Sequence, residues 1–161
     1  MHDSGYEAQV SGQTRLFYVR RTTTTKNTIP LLLLHGFPQT HTLWYEFVKH
    51  IPAHYDVIVP DLPGYGQSTK TPIDDEHTAH SKREMAKDML ALMDMLYDSK
   101  PRFICYGHDR GARVAYRMGL DHPQRLLGIA VLDIVPTTVM FEYMRLDHGK
   151  HKEVRSAALL R

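Results

Sequence analysis

Residues 102–113 read Arg102-Phe103-Ile104-Cys105-Tyr106-Gly107-His108-Asp109-Arg110-Gly111-Ala112-Arg113. The first half is a short apolar run that ends at a glycine, which predicts a strand over residues 103–106. The second half begins a helical pattern that predicts a helix over residues 110–121, just before Pro123. The order is therefore strand, Gly-x-Asp-x-Gly turn and helix, and the turn has Asp109 at its centre.

The residues alone leave two interpretations of this turn open. In the first it is a nucleophile elbow, a strained strand-to-helix turn that presents Asp109 at a helix N-terminus, where backbone N–H groups stabilise an anion. Gly107 and Gly111 then allow the strand and the helix to approach each other closely. In the second interpretation the two glycines are ordinary turn residues and Asp109 is a helix N-cap.

Apolar runs and helical patterns alternate along the rest of the chain. Strands are predicted over residues 7–10, 15–20, 30–34, 57–60, 103–106 and 128–132, with a hairpin turn between the first two. Helices are predicted over residues 40–50, 81–97 and 110–121. The second helix has Ser81 and Glu84 at capping-box spacing and a core-facing methionine stripe. Because the runs 31–34 and 129–132 do not alternate polar with apolar residues, we expect parallel strands covered on both faces. This is an α/β fold with a mostly parallel sheet and helices on both faces.

Composition excludes several classes of function. The 161 residues predict one domain, and 20 Lys and Arg against 18 Asp and Glu leave a net charge of +2, so no nucleic-acid partner is expected. No apolar run approaches the roughly 18 residues of a membrane span, so no membrane partner is expected. The single cysteine excludes an intrachain disulfide. With a polar N-terminus that lacks a signal segment, these features predict a cytoplasmic location.

No metal or cofactor site is expected. The glycine-containing loop at residues 61–68 lacks the spacing of the nucleotide-binding motifs. The His77-x-x-His80 and His148-x-x-His151 pairs have helical ligand spacing, but no further ligand completes either site. Cys105 lies inside a predicted strand and is expected to be a buried, inert thiol.

A second segment points to the same chemistry as the elbow. His35-Gly36-Phe37-Pro38 directly follows the predicted strand at residues 30–34. A tight turn there can aim the Phe37 N–H at the elbow, beside the Arg110 N–H. Two N–H groups in this arrangement would form an oxyanion hole.

These segments resemble the α/β-hydrolase superfamily, in its branch of epoxide hydrolases and dehalogenases. The similar segments are residues 35–40 with Trp44, residues 61–68, the elbow at residues 107–111 and residues 132–137. They span residues 10 to 145, nearly the whole chain but only about half of a usual family member. The resemblance implies a hydrolase in which Asp109 is the nucleophile and Asp133 is the acid that orients a histidine base. From its position alone, Asp133 is equally a helix or turn cap.

The residue after the nucleophile separates members of this branch. Epoxide hydrolases and many haloalkane dehalogenases commonly have Trp there, whereas this chain has Arg110 and, one helical turn later, Arg113. This pattern is similar to that of haloacetate (fluoroacetate) dehalogenases. It implies that Arg110 and Arg113, with His108 beside them, bind a small haloacid, because two guanidinium groups hold a carboxylate through charge-assisted bonds. The alternative is that Arg113 is a surface residue paired with an acid.

The resemblance also predicts what this chain lacks. In the family the histidine base lies near the C-terminus, and a cap that grips the leaving halide follows the Asp133 strand. His35 and His108 lie on the oxyanion loop and the elbow, so neither is expected to be that base. The basic tail at residues 145–161 departs from the family pattern, so we expect residues 1–161 to be a partial, N-terminal half of a hydrolase core.

The sequence therefore leaves three functions open. The first is a haloacid dehalogenase that works through a covalent ester. The second is an epoxide hydrolase with the same ester chemistry, and the third is a hydrolase-like fragment without catalysis. The expected partner is a small-molecule substrate, together with a second copy of the chain in a homodimer or larger self-associated species.

Overall fold

A computed structural model of the protein describes residues 5–12, 14–25, 28–69, 80–135 and 139. The strands are β1 (Tyr6–Gln9), β2 (Arg15–Arg21), β3 (Ile29–Leu34), β4 (Tyr55–Pro60), β5 (Phe103–His108) and β6 (Leu126–Leu132). The helices are α1 (Tyr45–Lys49), α2 (Lys82–Leu96) and α3 (Arg110–Asp121). Most of the predicted loop at residues 72–80, residues 77, 148 and 151 of the two histidine pairs, and the tail at residues 145–161 lie outside the described residues.

The six strands form one sheet in the order β1-β2-β4-β3-β5-β6. Strands β4, β3, β5 and β6 are parallel, while β2 is antiparallel to β4 and forms a hairpin with β1. The predicted hairpin and the mostly parallel α/β sheet are both confirmed. The strand order reverses direction between β3 and β5, and such a switch point is where ligands bind in open α/β sheets.

The apolar run in β3 is covered on both faces, as its lack of alternation predicts. Leu32 and Leu34 pack with α2 and α3 in one buried cluster, whereas Leu31 and Leu33 pack in a second cluster on the opposite face. Trp44 and Val48 of the α1 region cover that second face. The helices therefore lie on both faces of the sheet.

Helix α2 begins at the predicted cap. Ser81 accepts a hydrogen bond from the Glu84 N–H at 3.2 Å, although the Glu84 carboxylate pairs with Lys87 instead of closing a capping box. Met85 and Met89 are buried against the sheet, which confirms that the methionine stripe faces the core. No helix among the described residues combines the length and the apolarity that crossing a membrane requires.

The predicted helix at residues 40–50 differs from the structure. Residues His41–Trp44 form a 3-10 turn, and only α1 is α-helical. The buried Asp61 carboxylate explains the difference, because it accepts the His41 N–H at 2.7 Å. The Thr40 side chain accepts the Thr42 N–H, so side chains satisfy the first N–H groups and hold the tighter turn.

Strand β6 forms an edge of the sheet in the described part of the chain and exposes apolar side chains. The expectation that the run 129–132 is covered on both faces is therefore wrong for the described residues, because no described strand pairs with the outer side of β6. Leu127, Ile129 and Val131, at alternating positions along this strand, are 50%, 41% and 41% exposed. An exposed apolar edge strand is a template for pairing with another chain. We therefore expect the purified 161-residue chain to self-associate, with an apparent mass that rises with concentration in light scattering after size exclusion.

A charge placed on this edge tests that expectation. Ile129→Lys is expected to lower the apparent mass, because inward or edge charges block strand pairing. Met95→Lys on α2 is the control, since Met95 is also an exposed apolar residue, at 55%, but lies on a helix and not on the edge strand. A wild-type chain that is monomeric at all concentrations would contradict the expectation.

Candidate active site

The Gly-x-Asp-x-Gly segment forms a strained elbow between β5 and α3. Asp109 has a φ of 47° and a ψ of −114°, and its side chain makes no capping hydrogen bond. Its backbone N–H donates to the Leu132 carbonyl at 3.0 Å, which ties the elbow to the end of β6. A φ in this region is costly for a residue other than glycine, and such strain is concentrated at functional sites. Asp109 therefore stands at the N-terminus of α3 on a strained strand-to-helix turn, and its side chain does not cap the helix. Its role as a nucleophile stays a prediction.

The two glycines of the elbow let α3 start close to the sheet. A Cβ on Gly107 would lie 2.4 Å from the Gly111 carbonyl oxygen, and a Cβ on Gly111 would lie 2.4 Å from the His35 carbonyl oxygen. Neither position has room for a side chain. The two glycines therefore stand where the N-terminus of α3 lies in close contact with the end of β3.

The loop after β3 meets the Asp109 carboxylate. The Phe37 N–H donates to Oδ1 of Asp109 at 2.9 Å. Gly36 makes this approach possible, because a Cβ there would lie 2.5 Å from the Asp109 Cβ. Burial works to raise the pKa of Asp109, but hydrogen bonds from the N–H groups of Phe37 and Arg110 outweigh it and lower the pKa below its ordinary value. The carboxylate is therefore charged at neutral pH.

Three cationic side chains, those of Lys82, Arg110 and Arg113, lie at the start of α2 and in the first turn of α3. The Arg110 guanidinium lies 5.0 Å above the Phe37 ring and donates to the Tyr65 hydroxyl at 3.2 Å. Arg113 is half-buried one turn further along α3. Burial lowers the pKa of Lys82, and the charges of Arg110 and Arg113 lower it further. This group of charges can attract and hold a small anion beside Asp109.

Sequence reasoning missed Lys82 and Tyr65. Lys82 is the first residue of α2, and its Nζ donates to the Met85 sulfur at 3.3 Å. No local motif connects it to the elbow, which follows 27 residues later in the chain. Tyr65 belongs to the segment at residues 61–68, and no local motif in that segment relates its hydroxyl to the elbow.

His108 and Asp133 lie beside the elbow and face each other. His108 Nδ1 lies 3.1 Å from the Gln39 side-chain oxygen, and its Nε2 lies 3.5 Å from Oδ2 of Asp133. Both ring nitrogens thus have neighbours, so a hydrogen bond from His108 to a substrate requires one contact to be exchanged. The Asp133 side chain is 86% exposed at the end of β6, which leaves it accessible to a further group.

The remaining expectations concern metals and the cysteine. Cys105 is fully buried, and burial raises the pKa of its thiol, as expected for an inert structural cysteine. Within the described ranges, no group of three or more His, Cys, Asp or Glu side chains is placed to hold a metal ion.

Comparisons with known proteins agree with this architecture. Residues 29–151 match the family model of the α/β hydrolase fold. A fluoroacetate dehalogenase of a Burkholderia species is 48% identical over 112 residues, which are 70% of this chain and 36% of that protein. A soluble epoxide hydrolase of a Corynebacterium species (strain C12) is 37% identical over 134 residues, which are 81% of this chain and 42% of that protein.

A solved structure shows the same relationship. A protein of Nostoc sp PCC 7120 assigned to the α/β hydrolases superposes with a TM-score of 0.77 at 38% identity, covering 86% of this chain and 45% of the other. The chain thus spans less than half the length of each of these relatives. Because the family model covers most of the sequence and the sheet carries its elbow at the expected strand, this chain belongs to the α/β hydrolase fold family.

Proposed function

We propose that this chain provides the nucleophile, the oxyanion hole and the carboxylate-binding site of a hydrolase that removes halide from small 2-haloacids. The observation that carries the proposal is the contact of the Phe37 N–H with Oδ1 of Asp109 at 2.9 Å, on a strained elbow at the switch point of the sheet. It supplies a charged, oriented carboxylate and a donor already aimed at one of its oxygens. This is what ester-forming catalysis by an aspartate requires.

In the first step, Oδ2 of Asp109 attacks the carbon that carries the halogen. A carbon–oxygen ester bond forms, the carbon–halogen bond breaks, and the halide leaves with the bonding electron pair. Asp109 needs no base for this step, because its carboxylate is already charged. Arg110 and Arg113 hold the substrate carboxylate next to the reacting carbon.

In the second step, water attacks Cγ of the Asp109 ester. Negative charge then collects on Oδ1, where the N–H groups of Phe37 and Arg110 stabilise it. Breaking the bond between Cγ and the ester oxygen restores the Asp109 carboxyl group, and the departing alkoxide takes up the proton that the base removed from water to become a 2-hydroxy acid. A base must take a proton from the water, and we assign no described residue to that role. Asp133 is proposed to orient the base, because it lies exposed beside the elbow.

The cationic side chains near the elbow favour an anionic substrate over a neutral one. The ring oxygen of a neutral epoxide gains less from the positive charges of Lys82, Arg110 and Arg113 than the carboxylate of a haloacid, because charge-assisted hydrogen bonds are the stronger ones. The identity to a fluoroacetate dehalogenase supports the same choice. An epoxide hydrolase is the second candidate, favoured by the longer match to the soluble epoxide hydrolase.

Alkylation with a matched pair of reagents tests the proposal. Bromoacetate and bromoacetamide present the same carbon–bromine bond but differ in charge, so a carboxylate-binding site should make bromoacetate label Asp109 faster. A neutral epoxide that labels Asp109 better than bromoacetate would instead favour the epoxide hydrolase. No adduct on Asp109 with any of these reagents would favour a chain without catalysis.

Replacing Arg113 with Ala is expected to reduce the preference for bromoacetate over bromoacetamide. Loss of one charge-assisted hydrogen bond costs roughly 1.5–3 kcal/mol, or about 10–150-fold in that preference. The ratio of the two labelling rates at Asp109 is the measurement.

The control for this substitution is Arg117→Ala on the same helix. Arg117 forms an ion pair with Asp121, away from the elbow, so its loss removes the same charge without touching the site. An equal change of the ratio in both variants would mean that overall charge, and not a clamp, sets the preference.

A further inference from the structure

His35 lies fully buried between two backbone groups. Its Nδ1 is 2.9 Å from the Gly36 carbonyl oxygen, and its Nε2 is 2.9 Å from the Leu62 nitrogen. A carbonyl oxygen only accepts and a backbone N–H only donates, so Nδ1 carries the proton and Nε2 carries the lone pair. Burial lowers the pKa of His35, which favours the same neutral ring. The ring therefore has one fixed tautomer.

The group that His35 holds is one end of the peptide unit that contacts Asp109. The Gly36 carbonyl and the Phe37 N–H belong to the same planar trans peptide, so they point in opposite directions. Nδ1 of His35 donates to the carbonyl oxygen of this peptide at 2.9 Å, and Oδ1 of Asp109 accepts its N–H, also at 2.9 Å. The Gln39 N–H donates to the same carbonyl at 3.0 Å. Rotation of this peptide would break all three contacts.

The other side of the ring is fixed to a different strand. Leu62, whose N–H binds Nε2, follows β4, and the neighbouring Asp61 accepts the His41 N–H at 2.7 Å and the Gln67 N–H at 2.9 Å. Asp61 is fully buried and lies 4.0 Å from Nε2 of His35, beyond hydrogen-bond distance. The loop after β4 is thus a rigid support for the ring.

We infer that His35 is the positioning residue of the oxyanion hole: it orients the Gly36–Phe37 peptide so that the Phe37 N–H points at Asp109. The inference rests on the proposed function only where it treats this N–H as an oxyanion donor. In structural terms, His35 connects the loop after β4 to the Gly36–Phe37 peptide, and the N–H of that peptide contacts Asp109.

Three substitutions test the hydrogen bonds of the two ring nitrogens separately. His35→Asn places an amide donor where Nδ1 stands, His35→Gln places an amide acceptor where Nε2 stands, and His35→Phe keeps only the ring volume. The measured quantity is the pKa of Asp109, followed by carbon NMR of its carboxyl group. We expect the wild-type pKa to be retained in the Asn variant and to rise in the Gln and Phe variants, with faster amide hydrogen exchange at Phe37.

His41→Phe is the matched control for His35→Phe. His41 is also a buried histidine and hydrogen bonds to Asp61, but it does not touch the Gly36 carbonyl. It should lose stability and leave the pKa of Asp109 unchanged. A purely structural His35 would give the same pKa in all three His35 variants, and that result would overturn the inference.

A measurement on the wild-type chain covers the case in which the variants fail to fold. Nitrogen NMR of His35 should show a proton on Nδ1 and none on Nε2. A proton on Nε2, or rapid exchange between the two tautomers, would contradict the inference. Neither measurement involves a substrate, so failure of alkylation at Asp109 with these results intact would overturn the proposed function alone.

Discussion

Replacing Asp109 with Asn is expected to abolish hydroxylamine-sensitive labelling of the chain by bromoacetate. An amide is a poor nucleophile and forms no stable ester, whereas the Asp109 carboxylate is charged and oriented by the Phe37 N–H. Asn keeps the size of the side chain and an oxygen that accepts this hydrogen bond, so the loss reports chemistry and not folding. Mass spectrometry of the intact chain and of its peptides measures the adduct.

The position of the adduct needs a control, because Cys105 and His108 lie within four residues of Asp109. Cys105 is buried with a raised thiol pKa, so little reactive thiolate is present. Cys105→Ala should therefore keep the adduct. Hydroxylamine cleaves an ester but leaves an alkylated cysteine or histidine intact, and fragmentation locates the modified residue. An adduct that resists hydroxylamine, or that persists in the Asn variant, would refute the role of Asp109.

Replacing Gly111 with Ala is expected to lower the free energy of unfolding by about 3 kcal/mol or more, at the upper end of overpacking effects. The added Cβ would lie 2.4 Å from the His35 carbonyl oxygen and 2.5 Å from the Leu34 carbonyl oxygen. Both atoms belong to the backbone at the end of β3, which cannot move without disturbing the central strand. Denaturant titration or calorimetry measures the loss.

Gly119 on the same helix provides the comparison. A Cβ on Gly119 would meet only the side-chain end of Ile129, at 3.2 Å, so Ile129 can adjust. Alanine also has the higher helix propensity by about 1 kcal/mol, so Gly119→Ala should be near neutral or stabilising. If the two variants lose the same stability, helix α3 does not start in close contact with β3, and the elbow geometry is wrong.

The two experiments bear on different parts of the site. Gly111→Ala tests whether the elbow brings α3 and β3 together. Asp109→Asn tests whether the side chain at the centre of the elbow is a nucleophile. A chain that fails only the second test keeps the fold of the family without its chemistry. This outcome would support the third function carried forward from the sequence, a hydrolase-like fragment.

The α/β fold, the elbow and the approach of Phe37 to Asp109 could all be predicted from the amino-acid sequence. These features are encoded locally, by an apolar run without alternation, by glycines where no Cβ fits, and by turn residues directly after a strand. Parallel strands bring their carboxyl ends to one edge of the sheet, so motifs after β3 and β5 had to meet there. Local patterns were sufficient to predict these features because the parallel sheet itself brings the two distant motifs together.

Packing between distant segments of the chain sets which other side chains join the site. Lys82 lies close enough to the elbow to interact electrostatically with its charges because α2 packs beside α3, and no spacing rule links position 82 to position 109. The 3-10 turn at residues 41–44 follows from a carboxylate 20 residues away, Asp61, which accepts the His41 N–H. The tautomer of His35 depends on the Leu62 N–H from another strand's loop. Each of these contacts joins residues distant in the chain, so packing sets them and local pattern does not.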